Sequence, residues 1–342
     1  MKRPTKRLAF LGAMNRDVVA DIAGNLVLKQ LDIDAPALIE TPVSDELACV
    51  GAAILSRLGA ADYLGGSAFN AARIAALLNA RNRALDLAFF GIAGQIDGQA
   101  PHLAALKEWR VTSDNVRLSA MPPATCLAMV ENAGRTLLTA IGANADIAAY
   151  LRDESGALAH RLADCDLVHV TSFLDPASPG LVADLLSRAR KKNPDLIVSL
   201  DPGSAWIVPG GAAFEGLLRQ TNILHLNNEE LGHYGAGPDA IQSRGQRLHP
   251  ETWCIVARNH LAVALHEGGE GKKTLTHRLP DVELPAKVQD ATGAGDTFCG
   301  AFLWQYAQGA DPVEAARHAF ALARAKVAIK GPLTAETLPP PL

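Results

Sequence analysis

The residues with the most to say about chemistry lie near the C-terminus, in the run Asp290-Ala291-Thr292-Gly293-Ala294-Gly295-Asp296-Thr297-Phe298-Cys299-Gly300. A strand-like stretch, 286–289, precedes it and a helix to about residue 306 follows. Gly293 and Gly295 let backbone come close to a ligand. The first amides of a helix have no partner within it and carry partial positive charge, so this helix start is an anion site made of backbone. Thr292, Gly293, Ala294 and Gly295 are the candidate anion hole. Asp296, in the first turn, stands where a carboxylate can take the proton of an attacking hydroxyl while amides stabilise a transferring phosphoryl group. The competing reading is a plain structural turn with an acidic first-turn residue. A dinucleotide fingerprint fails, because Phe298 occupies its third glycine position and too little chain follows for a nucleotide-binding half. A Walker loop fails as well: residues 268–274 hold glycines and lysines without the GxxxxGK[ST] spacing.

The elements that must position these residues show in the periodicity. Apolar runs of strand length are 8–11, 85–90, 167–171, 196–200, 223–226 and 254–257, with helical patterns such as 68–78, 181–190 and 213–219 among them. Strands alternating with helices mean a mainly parallel sheet covered on both faces. Ser44-Asp45-Glu46 starts a helix to about residue 58, residues 61–64 form a short extended piece, and Gly65-Gly66-Ser67 opens the next helix. Two segments break the alternation. Residues 17–42, with Gly24, Pro36 and Pro42, read as irregular strands. Residues 125–131 and 135–141, joined by Asn132-Ala133-Gly134, read as a hairpin. Together these form a small separate β layer.

The composition bounds the class. The chain has 342 residues, 49% of them hydrophobic and 20% charged, with a net charge of −4. That is ample for a packed core, and the charge argues against a nucleic-acid grip. Five widely spaced cysteines form no CxxC pair, which points to buried hydrophobes in a reducing compartment rather than a disulfide framework or zinc site. Lys2, Arg3, Lys6 and Arg7 before an apolar run imitate a signal peptide, but Asn15, Arg16 and Asp17 interrupt that run at once. No uncharged apolar stretch is long enough to span a bilayer. The expectation is a cytoplasmic protein with no membrane partner.

The full DxTGAGDxFxG motif resembles the C-terminal signature of the ribokinase-like (PfkB) family of carbohydrate and nucleoside kinases. The resemblance runs along nearly the whole chain. Residues 11–17 are similar to the family's first strand and its substrate-binding aspartate, and Gly65-Gly66-Ser67-Ala68-Phe69-Asn70 to its GG…N segment. Residues 125–144 resemble the lid strands, and Asn227-Asn228-Glu229-Glu230 matches NxxE. The fold implied is α/β: a three-layer sandwich with a mainly parallel central sheet and a small β-sheet lid. It would be a single domain over 1–342, with the lid in about 17–43 and 116–142 and the ATP site in the C-terminal half.

The implied activity is transfer of the γ-phosphoryl group of ATP to a hydroxymethyl group, with Asp296 as general base and Mg²⁺ on the phosphates. Asp17 would clamp vicinal hydroxyls, since a carboxylate accepts two hydrogen bonds. Asn15 shares that loop, Asn70 offers a donor and an acceptor, and Gly65 and Gly66 leave room for substrate. Asn227 and Glu230 would organise Mg²⁺ through water, although the same pair is close to a capping box. Asp290 resembles the family's K⁺ ligand, with carbonyls near Lys330-Gly331. His102, His160 and His318 read as helix-surface residues and His225 as packed core.

The chain departs from the pattern after residues 254–257. The family's Thr-x-Gly-x-x-Gly is here Ala257-Arg258-Asn259-His260-Leu261-Ala262. Asn259 tolerates the positive φ of the first glycine. Ala262 is strained by a positive φ, and Ala257 has no hydroxyl for a phosphate, so Arg258 or His260 is left to supply that contact. The substrate is a sugar or a nucleoside. The Asn15-x-Asp17 spacing resembles sugar kinases; the helix at 44–58 and Phe69, an aromatic able to stack on a base, resemble adenosine-type kinases. Asp201-Pro202-Gly203-Ser204-Ala205-Trp206 lacks the arginine of acid-sugar kinases. A kinase-like binding protein with weak catalysis is the non-enzyme alternative. The hairpin also reads as apolar on both faces, Leu127, Met129, Leu137 and Ile141 against Cys126, Ala128, Val130 and Leu138. A homodimer through the lid would cover the second face, unless residues 17–42 cover it within one chain.

Overall fold

Leu8 and Phe10 pack into one apolar cluster, Ala9 and Leu11 into another. They belong to strand β1 (Lys6–Leu11), which is therefore buried on both faces by period-two alternation, as a central strand between two helix layers must be. The computed structural model describes residues 5–34, 40–131, 134–235, 238–259, 261–280 and 288–339.

The remaining strands are β2 (Asn15–Ala20), β3 (Glu40–Pro42), β4 (Ala61–Gly65), β5 (Leu85–Ala93), β6 (Thr112–Leu118), β7 (Ala124–Glu131), β8 (Gly134–Ala140), β9 (Leu167–Thr171), β10 (Ile197–Asp201), β11 (Ile223–Asn227), β12 (Trp253–Arg258), β13 (Val263–Gly268) and β14 (Leu275–Arg278). The helices are α1 (Gly24–Gln30), α2 (Asp45–Arg57), α3 (Ser67–Asn79), α4 (Pro101–Glu108), α5 (Ile147–Asp153), α6 (Ser155–Ala163), α7 (Ser178–Lys192), α8 (Gly203–Ile207), α9 (Gly211–Leu218), α10 (Asn228–Tyr234), α11 (Pro238–Gly245), α12 (Ala294–Ala307) and α13 (Pro312–Val327).

The large sheet runs β14-β13-β12-β11-β10-β9-β1-β5-β6. It is parallel from β6 to β12 and ends in an antiparallel edge, β12-β13-β14. Helices α3, α12 and α13 cover one face, and α5, α6, α7 and α9 the other. The chain is thus the α/β sandwich with a second, smaller sheet that the alternation predicts. Residues 286–287 of the strand-like stretch before Asp290 lie outside the described residues, and Val288 and Gln289 belong to no strand.

The small sheet runs β3-β8-β7-β2-β4. Its Val18, Ala20, Leu127, Met129 and Leu138 pack on Val27 and Leu28 of α1, on Leu31, and on Ala52 and Leu55 of α2. The segment read as irregular strands therefore contains a helix, α1, whose buried Val27, Leu28 and Leu31 follow helical spacing. Gly24 lets α1 lie on the sheet, because a Cβ there would stand 2.1 Å from Thr136 Oγ1. The extended piece before Gly65 is the edge strand β4.

Cross-strand register corrects the hairpin's faces. Leu127 opposes Leu138 and Ala128 opposes Leu137, so Leu138 shares the face of Leu127, and Leu137 that of Ala128. The first face is covered by α1 and α2 of the same chain. The second carries Asp17, Val19 and Tyr63, which border a pocket between the two sheets. On that second face Cys126, Ala128 and Leu137 are half-buried and Val130 is exposed, so the apolar surface on which a lid dimer would rest is left in part uncovered by the described residues. The turn residues Asn132 and Ala133 lie outside the described residues.

Candidate active site

Parallel strands present their C-terminal ends along one edge of the sheet, and the polar residues collect there. Asp201 ends β10, Asn227 ends β11 and Arg258 ends β12. Helices α3 and α12 begin at the same edge. Gly293 caps α12 with φ +73°, a left-handed conformation that suits glycine. Gly66 caps α3 at φ +103°, where a Cβ would stand 2.2 Å from the Ala13 carbonyl oxygen.

At the start of α12 the Thr292 amide donates to Asp290 Oδ1 at 2.8 Å and the Ala294 amide to the Ala291 carbonyl at 3.2 Å. Gly295 and Asp296 lie in the first turn, where an amide has no acceptor within the helix. Of the four residues expected as an anion hole, Thr292 and Ala294 thus have their amides engaged within the turn.

Asp296 is held from α3. Asn70 Nδ2 donates to its Oδ2 at 2.9 Å, and Ser67 hydrogen-bonds it as well. Burial pushes its carboxyl up to about 6; the Asn70 bond opposes the rise, Asp201 adds to it and Arg258 opposes it. A carboxylate with a pKa just below neutral is ionised at neutral pH yet still able to accept a proton.

Arg258 Nη2 bonds Asp201 Oδ2 at 2.7 Å, and a Cβ on Gly295 would stand 3.1 Å from the same nitrogen. Its Nη1 is buried with no hydrogen-bond partner among the described residues. Burial works against the Arg258 charge, and Cys299, Asp201 and Glu230 outweigh it. Burial and Asp201 push the Glu230 carboxyl up to about 7. Asn227 and Glu230 do form the capping box: Asn227 Oδ1 accepts from the Glu230 amide and Glu230 Oε2 from the Asn227 amide, both at 2.9 Å. These groups border a cleft of about 540 Å³. The turn after β12 is closed differently from expectation. Neither Asn259 nor Ala262 takes a positive φ. Asn259 Oδ1 instead accepts from the amides of Leu261 and Ala262 at 2.7 and 2.8 Å. His260 lies outside the described residues.

On the lid side, Asp17 packs on Gly65, where a Cβ would come within 2.0 Å of its carboxylate. Asp17, Asn70 and Gly293 line one pocket. Asn15 Oδ1 accepts from Asn144 Nδ2 at 3.2 Å, and its carbonyl takes the Nε2 hydrogen of His102 at 2.8 Å. His102 is therefore not a helix-surface residue: it is fully buried, and burial lowers its pKa to about 4. His225 is buried as expected. Phe69 is also fully buried, edge-on to Phe89 and His102, and cannot stack on a nucleobase. Helix α2, behind the lid sheet, contributes no residue to either pocket.

Asp290 is a knot. Its Oδ2 accepts from Lys326 Nζ at 3.1 Å and from the Gly331 amide at 3.0 Å, and its carbonyl takes Lys326 Nζ at 2.8 Å. Burial works against the Asp290 charge, and the Thr292 amide and Lys326 outweigh it, so its pKa is lowered. The cation beside Asp290 is thus an ammonium of the chain itself. Sequence reasoning missed Lys326, Asp201 and Asn144. Only Asp201 carried a signal, a carboxylate at the end of a parallel strand.

Comparison with known proteins agrees with this arrangement. Residues 60–338 match the pfkB family carbohydrate kinase. An uncharacterized sugar kinase of Archaeoglobus fulgidus is 28% identical over 234 residues, covering 68% of this chain and 88% of that protein. Adenosine kinase from Schistosoma mansoni in complex with 2-fluoroadenosine superposes with a TM-score of 0.75 at 12% identity, covering 96% of each chain. A probable sugar kinase from Rhizobium etli gives 0.72 at 19% identity, covering 96% of this chain and 94% of that one. With the family match spanning most of its length, the chain belongs to the pfkB family of carbohydrate kinases and is a phosphotransferase with an alcohol acceptor on a sugar or nucleoside.

Proposed function

We propose that the chain transfers the γ-phosphoryl group of ATP to a hydroxymethyl group of a sugar or sugar-like substrate, with Asp296 as general base. The observation that carries this is Asp296 itself, a half-buried carboxylate with its pKa pushed up to about 6, held by Asn70 and one residue from the Gly293–Gly295 backbone. Asp17 and Asn15 on β2, with Gly65, Gly66 and Asn70, hold the acceptor so that its hydroxyl reaches Asp296. Asp296 takes the hydroxyl proton as the oxygen attacks phosphorus, and the amides of Gly293 and Gly295 receive the charge on the transferring group. Arg258 provides the phosphate contact that Ala257 cannot, through its unpartnered Nη1. Asn259 holds the adjoining turn.

Mg²⁺ fits as an ion carried by the phosphates. Among the described residues no group of three or more His, Cys, Asp or Glu side chains could hold a metal. Asp201, Glu230 and Asn227 border the cleft and suit contact through water. When bound, the ion neutralises charge on the phosphates. Lys326 takes the place beside Asp290 that the resemblance gives to K⁺.

A sugar is favoured over a nucleoside because Phe69 is sealed in the core. The name of the Archaeoglobus relative, sugar kinase, points the same way. The test is acceptor-dependent ADP release from MgATP across sugars and nucleosides. A sugar acceptor should give the highest kcat/KM; a nucleoside ahead of every sugar would overturn the substrate class.

A further inference from the structure

Arg73, on α3, borders the pocket of Asp17 and Asn70 and is 8% exposed. Its guanidinium lies 5.5 Å from the Phe69 ring centre and 5.2 Å from that of Trp109. Nη2 donates to the Leu64 carbonyl on β4. Nη1 donates to Asn70 Oδ1 at 3.2 Å. A guanidinium can only donate, so the oxygen of the Asn70 amide must face Arg73. The NH₂ end then faces Asp296, which it meets at 2.9 Å. Turned the other way, the amide would set its oxygen against the carboxylate.

We propose that Arg73 is a positioning residue for the base: it locks the Asn70 amide in the orientation that hydrogen-bonds ionised Asp296, and ties that orientation to the lid strand β4 through Leu64. This rests on Asp296 being the base. Burial lowers the Arg73 pKa to about 10, so it keeps its charge at neutral pH. The other groups facing Asp296 are Asp201 from β10, Arg258 from β12, Ser67 from α3, Lys326 from α13 and Cys299 on its own helix. Asn70 is the neighbour whose effect depends on which end of an amide it presents.

The test is a ¹³C NMR titration of the Asp296 carboxyl, which needs no substrate. Arg73→Met and Asn70→Ala should each raise its pKa by about one unit, and the double variant by less than the sum. Arg73→Lys, which keeps the charge and one donor, should stay near wild type. The acid limb of kcat should move with the carboxyl, so that the loss in Arg73→Met shrinks as pH rises. An unmoved carboxyl in Arg73→Met, or additive shifts, would overturn the proposal. If Arg73→Met does not fold, Asn70→Ala decides alone, since an unmoved carboxyl there removes the link. A carboxyl that shifts as expected in a protein without phosphoryl transfer sinks the kinase reading and leaves the Arg73–Asn70 link standing.

Discussion

Burial and function oppose each other at Asp296. Its folded pKa of about 6 lies above its ordinary 3.8, so the folded state binds that proton more tightly than the unfolded chain. The resulting penalty is absent below the ordinary value and fully present above about 6. Asp296→Asn should therefore raise the melting temperature at pH 8, with a gain that shrinks towards pH 5, while kcat falls by ~10²–10⁴. Wild-type kcat should decline as pH drops through 6. At Asp290 the relevant ion is Lys326. Wild-type rates in K⁺ and Na⁺ should be equal, and a several-fold K⁺ activation would show that the ammonium does not fill that place. Lys326→Met leaves a half-buried carboxylate unpaired and should cost about 3–5 kcal/mol in denaturant unfolding, with added K⁺ recovering part of the loss.

At the scale of elements, the lid depends on one buried layer. Leu127 is fully buried between β7 and the helices behind it. Leu127→Ala should destabilise by about 2–5 kcal/mol and raise KM, because β7 pairs with β2, which carries Asp17. Chemical unfolding and steady-state kinetics check both effects. The elements differed in how well the sequence showed them. β9, β10, β11 and β12 are short, mostly apolar runs and were legible as buried parallel strands. β14 is exposed along its whole length and has no apolar pattern to read. α1 is short and starts at a glycine, so its helical spacing hid among strand signals. The hairpin was legible, but its faces depend on cross-strand register, which no single strand records. The glycine motif placed Asp296 and its helix because that chemistry is local. Asn70 meets Asp296 across 226 residues, Lys326 meets Asp290 across 36 and Asn144 meets Asn15 across 129, and no spacing rule reaches that far.

The whole molecule sets a rigid α/β edge against a small sheet. In the proposed reaction the edge supplies the base and the anion site, and the sheet supplies Asp17 and the acceptor pocket. Chelation of divalent ions should abolish turnover, since Arg258 and the helix amides alone leave most of the phosphate charge unneutralised. The central claim is that this edge transfers a phosphoryl group with Asp296 as base. Its most direct test is acceptor-dependent ADP formation from MgATP, measured for wild type and Asp296→Asn with the same sugar. The expected result is steady turnover by wild type and a rate lower by ~10²–10⁴ in the variant, with acceptor affinity retained. Near wild-type turnover in Asp296→Asn, or no acceptor-dependent ADP from wild type with any sugar or nucleoside, would contradict it.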